Sequence, residues 1–272
     1  MTILLAIVAG ALIGLSLGAL GGGGSILAVP VLVYLLGQSA VQATAGSLVV
    51  VGVTSLIGAI AAYRSGNVLP GRGIAFGLVA IGGAVLGAQA STRVPPAVLM
   101  ACFAVLMLVV GGLMTWRQLR HARNPRLVSP PALDDPIITF TPTFACACPR
   151  ALKVLVTATA VGLLTGFLGV GGGFLVVPAL LLALGLPIRY AAGTSLVVIT
   201  ITSAAALTAR AGSGAGPDWG VVLMLTAVAA TAAVVGARLT ARVGTARLSA
   251  AFTVLVLVVA IYTATQAIPA LV

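Results

Sequence analysis

The chain has 272 residues, of which 61% are hydrophobic and 6% are charged, and its mean hydropathy is +1.25. This composition excludes an ordinary soluble domain and predicts an integral membrane protein. The 14 lysines and arginines, against three aspartates, mark cytoplasmic loops by the positive-inside rule, so we expect a surrounding lipid bilayer and no nucleic-acid partner.

The first half of the chain is predicted to contain a helix broken by glycines, a short half-helix and three further spans. Its first apolar run, Thr2–Leu20, ends at four consecutive glycines, Gly21 to Gly24. The next run, Ile26–Leu36, would cover roughly 17 Å as a helix, which is too short for a hydrocarbon core of about 30 Å. We therefore expect a half-helix there. The further spans are predicted over Ala40–Tyr63, Gly71–Ala90 and Pro96–Trp116.

The second half repeats this order. Residues 14–32 match residues 162–180 at 11 of 19 positions, and residues 87–110 match residues 236–259 at 13 of 24, which indicates internal duplication. The predicted domains are a first transmembrane repeat over 1–117, a cytoplasmic linker loop over 118–150 and a second transmembrane repeat over 151–272. The second-half helices are predicted over Ala151–Leu168, Phe174–Leu184 (a half-helix), Ile188–Ala209, Asp218–Leu239 and Ala246–Ile268.

The positions of the arginines predict that the two repeats are inverted relative to each other. In the first half the basic loop is Arg64–Arg72, whereas in the second half it lies around Arg238 and Arg242, one connection later. Arg93 and Arg242 occupy matching positions just beyond a span, and we expect them to anchor helix ends by snorkelling. Arg210 is assigned to a loop, where Asp218 offsets its charge.

The sequence predicts no metal, no cofactor and no catalytic residues. Cys146 and Cys148 form a C-x-C in the linker, but with a single histidine in the chain they fall short of a four-ligand zinc site unless a second subunit or a partner completes it. An enzyme needs a nucleophile with its base, a metal or placed carboxylates. The predicted spans contain none of these, so we do not expect an enzyme.

The two glycine runs are candidate anion-binding sites. Irregular backbone inside a membrane is tolerated only where protein or a water-filled cavity surrounds it. Glycine leaves its N–H groups uncovered, so that they can converge on an anion, and the helix that restarts after each run adds the positive end of its dipole. Pro30 and Pro178 fit near those helix starts. The alternative role is close helix packing, which we assign to four glycines upstream of the runs, Gly14, Gly18, Gly162 and Gly166.

The spans after the half-helices supply hydroxyl groups. Ser47 and Thr54, and likewise Ser195 and Thr202, are seven residues apart and share one helical face. Such hydroxyl groups alternatively bond back to their own helix. The candidate substrate-binding residues are Gly22, Gly23, Gly24, Ser25, Ser47, Gly171, Gly172, Gly173, Thr194 and Ser195.

The motifs GALGGGGSILAVPVL and GFLGVGGGFLVVPAL, together with GTSL at Gly193–Leu196, resemble those of the TauE/SafE family, also called the toluene-sulfonate uptake permease family. The first half departs from the pattern, because Ala45-Gly46-Ser47 stands where the second half has Gly193-Thr194-Ser195. The resemblance implies movement of sulfur-containing anions, such as sulfite, sulfoacetate and related organosulfonates, usually outward. The residues themselves indicate an anion, but not sulfur.

The expected function is therefore a multi-pass transporter in the cell inner membrane that exports a small anionic substrate. A structural or scaffold membrane protein, or an uptake permease for a different anion, is the alternative. The predicted spans hold no carboxylate or histidine for a proton relay, and an anion that leaves a cell with a negative interior gains about 2.3 kcal/mol per charge per 100 mV. We expect export without a coupling ion, while sodium bound by backbone carbonyls stays open.

Overall fold

The computed structural model describes residues 2–123, 148–210, 218–240 and 245–267, and within these ranges the chain forms only helices and the turns that join them. The predicted all-α architecture of a polytopic membrane protein is confirmed. The helices are α1 (Thr2–Leu20), α2 (Ser25–Pro30), α3 (Ala40–Arg64), α4 (Pro70–Ser91), α5 (Pro96–Arg123), α6 (Cys148–Leu168), α7 (Gly173–Ala183), α8 (Ile188–Arg210), α9 (Trp219–Thr240) and α10 (Thr245–Ala267).

Both glycine runs interrupt a helix, as predicted. Gly21, with a φ of 71°, follows the end of α1, and a single 3-10 turn, Gly22–Gly24, leads into α2. In the second half Gly172, with a φ of 62°, caps the start of α7. Residues with a side chain rarely adopt such a φ, so glycine is required at both positions. The short helical segments cover residues 25–35 and 173–183, one residue earlier than the predicted half-helices.

The two prolines lie deeper in the half-helices than expected. Pro30 is the sixth residue of α2, and Pro178 is the sixth residue of α7. There the missing N–H removes a hydrogen bond to the carbonyl four residues earlier, so the prolines weaken the half-helices and do not start them. After Pro30 the chain continues as a π-helical turn, Val31–Leu35, a wider winding that often accompanies functional sites.

The outside of the helix bundle is apolar, as contact with lipid requires. Leu86 on α4 and Val109 on α5 are each 60% exposed. Five of the described helices, α3, α4, α5, α8 and α9, are long and apolar enough to cross a membrane. The apolar stretches of α1, α6 and α10 are shorter within the described residues, so the crossing of the membrane by these three stays a prediction.

Two long helix pairs join the halves, because α1 packs along α9 and α6 packs along α4. In both pairs a glycine lets the two backbones approach. A methyl group added at Gly14 would lie 2.8 Å from the Cα of Ala229, and one added at Gly166 would lie 2.9 Å from the Cα of Ala84. The close-packing role predicted for the four upstream glycines is thus confirmed. The four contacts pair Gly14 with Ala229, Gly18 with Ala233, Gly162 with Ala80 and Gly166 with Ala84.

The helices α3 and α8 occupy the centre of the bundle. They are the most buried of the five candidate spans. They run antiparallel, because Gly52 faces Ser203 while Gly58, six residues later, faces Leu196. Further long pairs are α4 with α8, α3 with α9 and α5 with α10. This reciprocal packing is what two related halves would produce, and the inverted repeat itself stays a prediction.

The helices on either side of the predicted linker extend into it. α5 continues to Arg123 and α6 begins at Cys148, so only residues 124–147 separate them. Cys148 is therefore helical, and Cys146 lies outside the described residues. Arg93 follows the end of α4 and is exposed, as an anchoring residue would be, whereas its predicted counterpart Arg242 also lies outside the described residues.

Adjacent glycines in α4 provide a test of the close packing between α4 and α6. In Gly83→Ala the new methyl group would overlap the carbonyl oxygen of Thr159, so we expect the free energy of unfolding to fall by about 1–3 kcal/mol. In the control Gly82→Ala the methyl group meets no atom within 4 Å, and replacing glycine inside a helix should stabilise the protein by about 0.5–1 kcal/mol. Thermal unfolding of the purified protein in detergent measures both. Equal melting temperatures for the two variants would contradict the α4–α6 contact.

Candidate functional site

The two glycine runs meet inside the bundle. A methyl group added at Gly22 would lie 2.6 Å from the Cα of Gly173, and one added at Gly173 would lie 2.7 Å from the Oγ of Ser25. The hydroxyl group of Ser25 donates a hydrogen bond to the carbonyl oxygen of Gly22 at 2.7 Å. All three residues are buried. The two interrupted helices are therefore in direct backbone contact, and only residues without bulky side chains can stand at this point.

Ser47 on α3 reaches the second break. Its hydroxyl group is hydrogen-bonded to the carbonyl oxygen of Gly169 and, at 2.9 Å, to that of Thr44. Thr44 also lies against Gly169, since a methyl group added there would be 3.0 Å from the Cγ2 of Thr44. A first-half span thus satisfies the backbone of the second-half break.

Ser195 on α8 lies at the first break. Its Oγ is 2.7 Å from the position that a methyl group on Gly21 would take, and its hydroxyl group donates to the carbonyl oxygen of Ala192 at 2.7 Å. Ser47 and Ser195, which match in the repeat comparison, therefore each lie beside the break of the opposite half.

Four other candidate residues are packed against, or hydrogen-bonded to, neighbouring parts of the protein. Gly24 packs on the backbone of α1, and Gly172 packs on the side chain of Thr165 in α6. A methyl group added at Gly23 would lie 3.2 Å from the Cδ2 of Phe252 in α10. The Oγ1 of Thr194 accepts a hydrogen bond from the backbone N–H of Leu69 at 3.1 Å, so this side chain faces the α3–α4 connection. Gly171, in contrast, faces Val51 and Ser203 at the crossing of α3 and α8.

Arg210 is a buried residue that the sequence reasoning assigned to a loop, and that assignment is wrong. It is the last residue of α8 and is only 8% exposed. Its guanidinium donates hydrogen bonds to the Oγ1 of Thr44 at 3.0 Å, to the Oγ of Ser91 at 2.8 Å and to the carbonyl oxygen of Gly166 at 2.7 Å. Asp218, the expected partner, is exposed and accepts from the N–H of Gly220 at 3.2 Å. Arg210 thus connects α8 with α3, α4 and the end of α6.

The interaction of Arg210 with α6 has a clear electrostatic basis. Gly166 and Phe167, whose carbonyl oxygens accept from Arg210, belong to the last turn of α6. The final four carbonyl groups of a helix have no partner within the helix and form the negative end of its dipole. The guanidinium of Arg210 donates to these free carbonyl groups, and the negative end of the dipole stabilises its positive charge. Arg210 thus caps α6 just before the glycine break.

A small cavity lies beside the first-half position that corresponds to Arg210. At the repeat offset of 148 residues, Arg210 corresponds to Ala62, and a cavity of about 10 Å³ lies beside Ala62. This volume has room for about one water molecule. The contrast between an arginine and an alanine in otherwise matching spans is the sequence signal that could have identified Arg210. The cavity is lined by Gly18, Ala62, Asn67, Arg189, Ala192, Gly193, Leu196 and Ala237.

The described side chains offer no metal-binding group of three or more histidines, cysteines, aspartates or glutamates. The buried polar side chains in the described ranges are serines, threonines and Arg210. The chemistry that this interior provides is therefore hydrogen-bond donation from hydroxyl groups, from backbone N–H groups and from one guanidinium.

Comparison with known proteins assigns the chain to a family. The family described as "Sulfite exporter TauE/SafE" matches residues 6–263. A "Probable membrane transporter protein" of Xylella fastidiosa (strain Temecula1) is 34% identical over 199 residues, which cover 73% of this chain and 70% of the relative. A "Probable membrane transporter protein YdhB" of Bacillus subtilis (strain 168) is 28% identical over 188 residues, which cover 69% of this chain and 70% of the relative. No solved structure matches the chain significantly.

The contact between the two breaks can be tested with neighbouring glycines. In Gly22→Ala the methyl group would overlap the carbonyl group of Gly173, so we expect a loss of at least about 3 kcal/mol in the free energy of unfolding. In Gly23→Ala the nearest atom, the Cβ of Leu20, is 3.0 Å away, and a small shift accommodates it. Thermal unfolding in detergent should rank wild type and Gly23→Ala well above Gly22→Ala. A Gly22→Ala protein with wild-type stability would show that the breaks do not touch.

The role of Arg210 can be tested against an exposed arginine. Hydrogen bonds to a charged group contribute about 1.5–3 kcal/mol, so Arg210→Gln should lower the free energy of unfolding by at least that amount. Ser91→Ala removes one acceptor and should cost less, and the double variant should show a non-additive effect, because the two side chains are bonded to each other. The control Arg93→Gln changes an exposed side chain and should stay within about 0.5 kcal/mol of wild type. Strict additivity of Arg210→Gln and Ser91→Ala would argue against the bond.

Proposed function

The chain belongs to the TauE/SafE family and is a membrane transporter, and we propose that it exports small sulfur-containing anions, such as sulfite or organosulfonates, across the cell inner membrane. The observation that carries this proposal is the contact of two interrupted helices at Gly22 and Gly173, inside a bundle whose central spans bear hydroxyl groups. Secondary transporters use interrupted helices of this kind to present backbone groups to a substrate.

The electrostatics of the interior favour an anion. The N-terminus of α7 begins at Gly173, beside Gly22, so the positive end of its dipole lies at the contact between the breaks. Arg210 adds a buried positive charge close to the second break. The other buried polar side chains in the described ranges are serines and threonines, which can donate hydrogen bonds and carry no negative charge. Sulfite and sulfonates present several oxygen atoms that accept hydrogen bonds from such donors.

In this proposal the backbone of the glycine runs forms the centre of the substrate site. Gly22, Gly171 and Gly173 are the closest of the candidate glycines to the opposite half or to α3 and α8. Ser47 supports the second break through its hydrogen bond to the carbonyl oxygen of Gly169, whereas Ser195 is bonded to Ala192 of its own helix and packs against the first break at Gly21. Because Gly22 and Gly173 touch, the substrate must bind beside their contact or separate them during transport.

The reciprocal packing of the helices supports an inverted-repeat mechanism. α1 packs on α9 and α6 packs on α4, so that each half contributes its broken helix to a contact with the other half. We infer that residues 1–117 and 151–272 are the two repeats and that 118–150 is their cytoplasmic linker. Rocking of the α1–α9 pair against the α4–α6 pair would then expose the breaks to the two sides of the membrane in turn.

Export driven by the membrane potential is testable in liposomes. Vesicles containing the protein are loaded with an organosulfonate, whose sulfonate group stays ionised, and efflux is measured at a clamped potential while pH and sodium are varied separately. We expect efflux to accelerate as the vesicle interior becomes more negative, because 100 mV contributes about 2.3 kcal/mol per charge. We expect efflux to require neither a pH gradient nor a sodium gradient. Protein-free vesicles provide the control.

The same measurements can contradict either the uncoupled mechanism or the substrate class. Efflux that stops when the pH gradient alone is removed would refute the uncoupled mechanism. Efflux that requires sodium would replace it by sodium coupling through backbone carbonyls. Absence of protein-dependent flux for both sulfite and organosulfonates would refute the substrate class.

A further inference from the structure

Three buried hydroxyl groups stand apart from the others in the bundle. Among the buried serines and threonines of the described residues, those of Thr54, Ser55 and Ser203 have no hydrogen-bond partner. Most of the others bond back to a carbonyl oxygen of the preceding turn, as Thr202 does to Val198 at 3.0 Å. A buried hydroxyl group without a partner has lost its hydrogen bonds to water and received nothing in exchange, so it is rare in a folded protein unless a ligand or water completes it.

The unpartnered hydroxyl group of Ser203 lies at the second glycine run. Its Oγ is 3.1 Å from the position that a methyl group on Gly171 would take. Val51 of α3 approaches the same side of Gly171, since its Cγ1 is 2.5 Å from the same position. Side chains of α3 and α8 thus meet over Gly171, and the one from α8 carries an unpartnered hydroxyl group.

The other two hydroxyl groups lie one turn further along α3. Thr54 shares the face of Val51, and Ser55 shares the face of Gly52, because each pair is separated by three residues. Gly52 lies opposite Ser203, since a methyl group added there would be 3.2 Å from the Cβ of Ser203. One helical turn is about 5.4 Å, so the hydroxyl groups of Thr54 and Ser55 lie within about one turn of the point where α3 meets Ser203 of α8.

We propose that Thr54, Ser55 and Ser203 form the oxyanion-binding part of the transport site, next to the backbone of Gly171. The inference rests on the proposed function, and it assigns substrate contacts that differ from Ser47, Thr194 and Ser195. Ser47 and Ser195 already donate to carbonyl oxygens and Thr194 accepts from a backbone N–H, whereas the three hydroxyl groups at the crossing have no hydrogen-bond partner. Neutral donors suit a transporter, because they bind an oxyanion through its oxygen atoms without a fixed charge that would retain it.

The test uses the purified full-length protein in detergent with sulfite and sulfoacetate as probes. Thr54→Val, Ser55→Ala and Ser203→Ala each remove one hydroxyl group, and affinity for both probes should fall about 10- to 100-fold per substitution. Stability without ligand should be unchanged or higher, because no protein hydrogen bond is lost. Thr54→Ser keeps the hydroxyl group and should retain affinity, which separates the role of the hydroxyl from that of packing.

The matched control is Thr226→Val. Thr226 is a buried threonine on α9 whose hydroxyl group donates to the carbonyl oxygen of Val222 at 2.6 Å. Its replacement should lower stability without ligand slightly and leave affinity unchanged. If wild type binds the probes and the three variants bind them equally well, the inference is overturned while the proposed function stands. Variants that lose stability but keep affinity would assign the hydroxyl groups to buried water, which also overturns it. Failure of wild type to bind either probe refutes the proposed function and this inference together.

Discussion

The end of α6 imposes the constraint on which the rest of the structure depends. A helix that stops inside a membrane protein leaves carbonyl groups that lipid cannot satisfy, so side chains from other helices must do so. Arg210 donates to Gly166 and Phe167, and Ser47 is bonded to Gly169. These donors come from α8 and α3, the two central helices. The broken helix therefore depends on the central pair, and these two helices carry most of the buried polar side chains of the described ranges.

The two halves solve this common problem in different ways. The second break is supported by an arginine that enters from the end of α8, whereas the corresponding position in the first half is Ala62 beside a small cavity. The first break instead closes on itself, because Ser25 bonds to Gly22 within a 3-10 turn. Such a difference allows two related halves to have unequal stability, so that conformations in which the halves exchange roles need not be equal in free energy.

Much of the fold is readable from the sequence, because apolar run length, glycine and proline are strong local signals in a membrane protein. The spans, the two breaks and the short half-helices follow from them. The burial of Arg210 does not follow from these signals, because a charged residue at the end of an apolar run is predicted to lie in a loop. Its burial is favourable only because it donates to carbonyl groups of a helix that is distant in sequence. The sequence also does not show that Gly24 and Gly172 pack against α1 and α6 while Gly22 and Gly173 contact each other. That difference depends on which distant helix lies beside each glycine. Local sequence identifies where the helix is broken by glycines. Tertiary packing determines whether each of those glycines contacts another helix or is available to a substrate.

The contact between Gly22 and Gly173 also determines how the bundle can move. Where side chains interdigitate, separating two helices forces many rotamers to change together. At this contact there are no side chains on the glycines, so the breaks can slide or part without repacking a core. The long pairs α1–α9 and α4–α6 are held by close backbone approach over several turns and are suited to move as rigid units. We therefore expect any movement between the pairs to occur at this junction, which lies two residues along the chain from Gly171 and its neighbour Ser203.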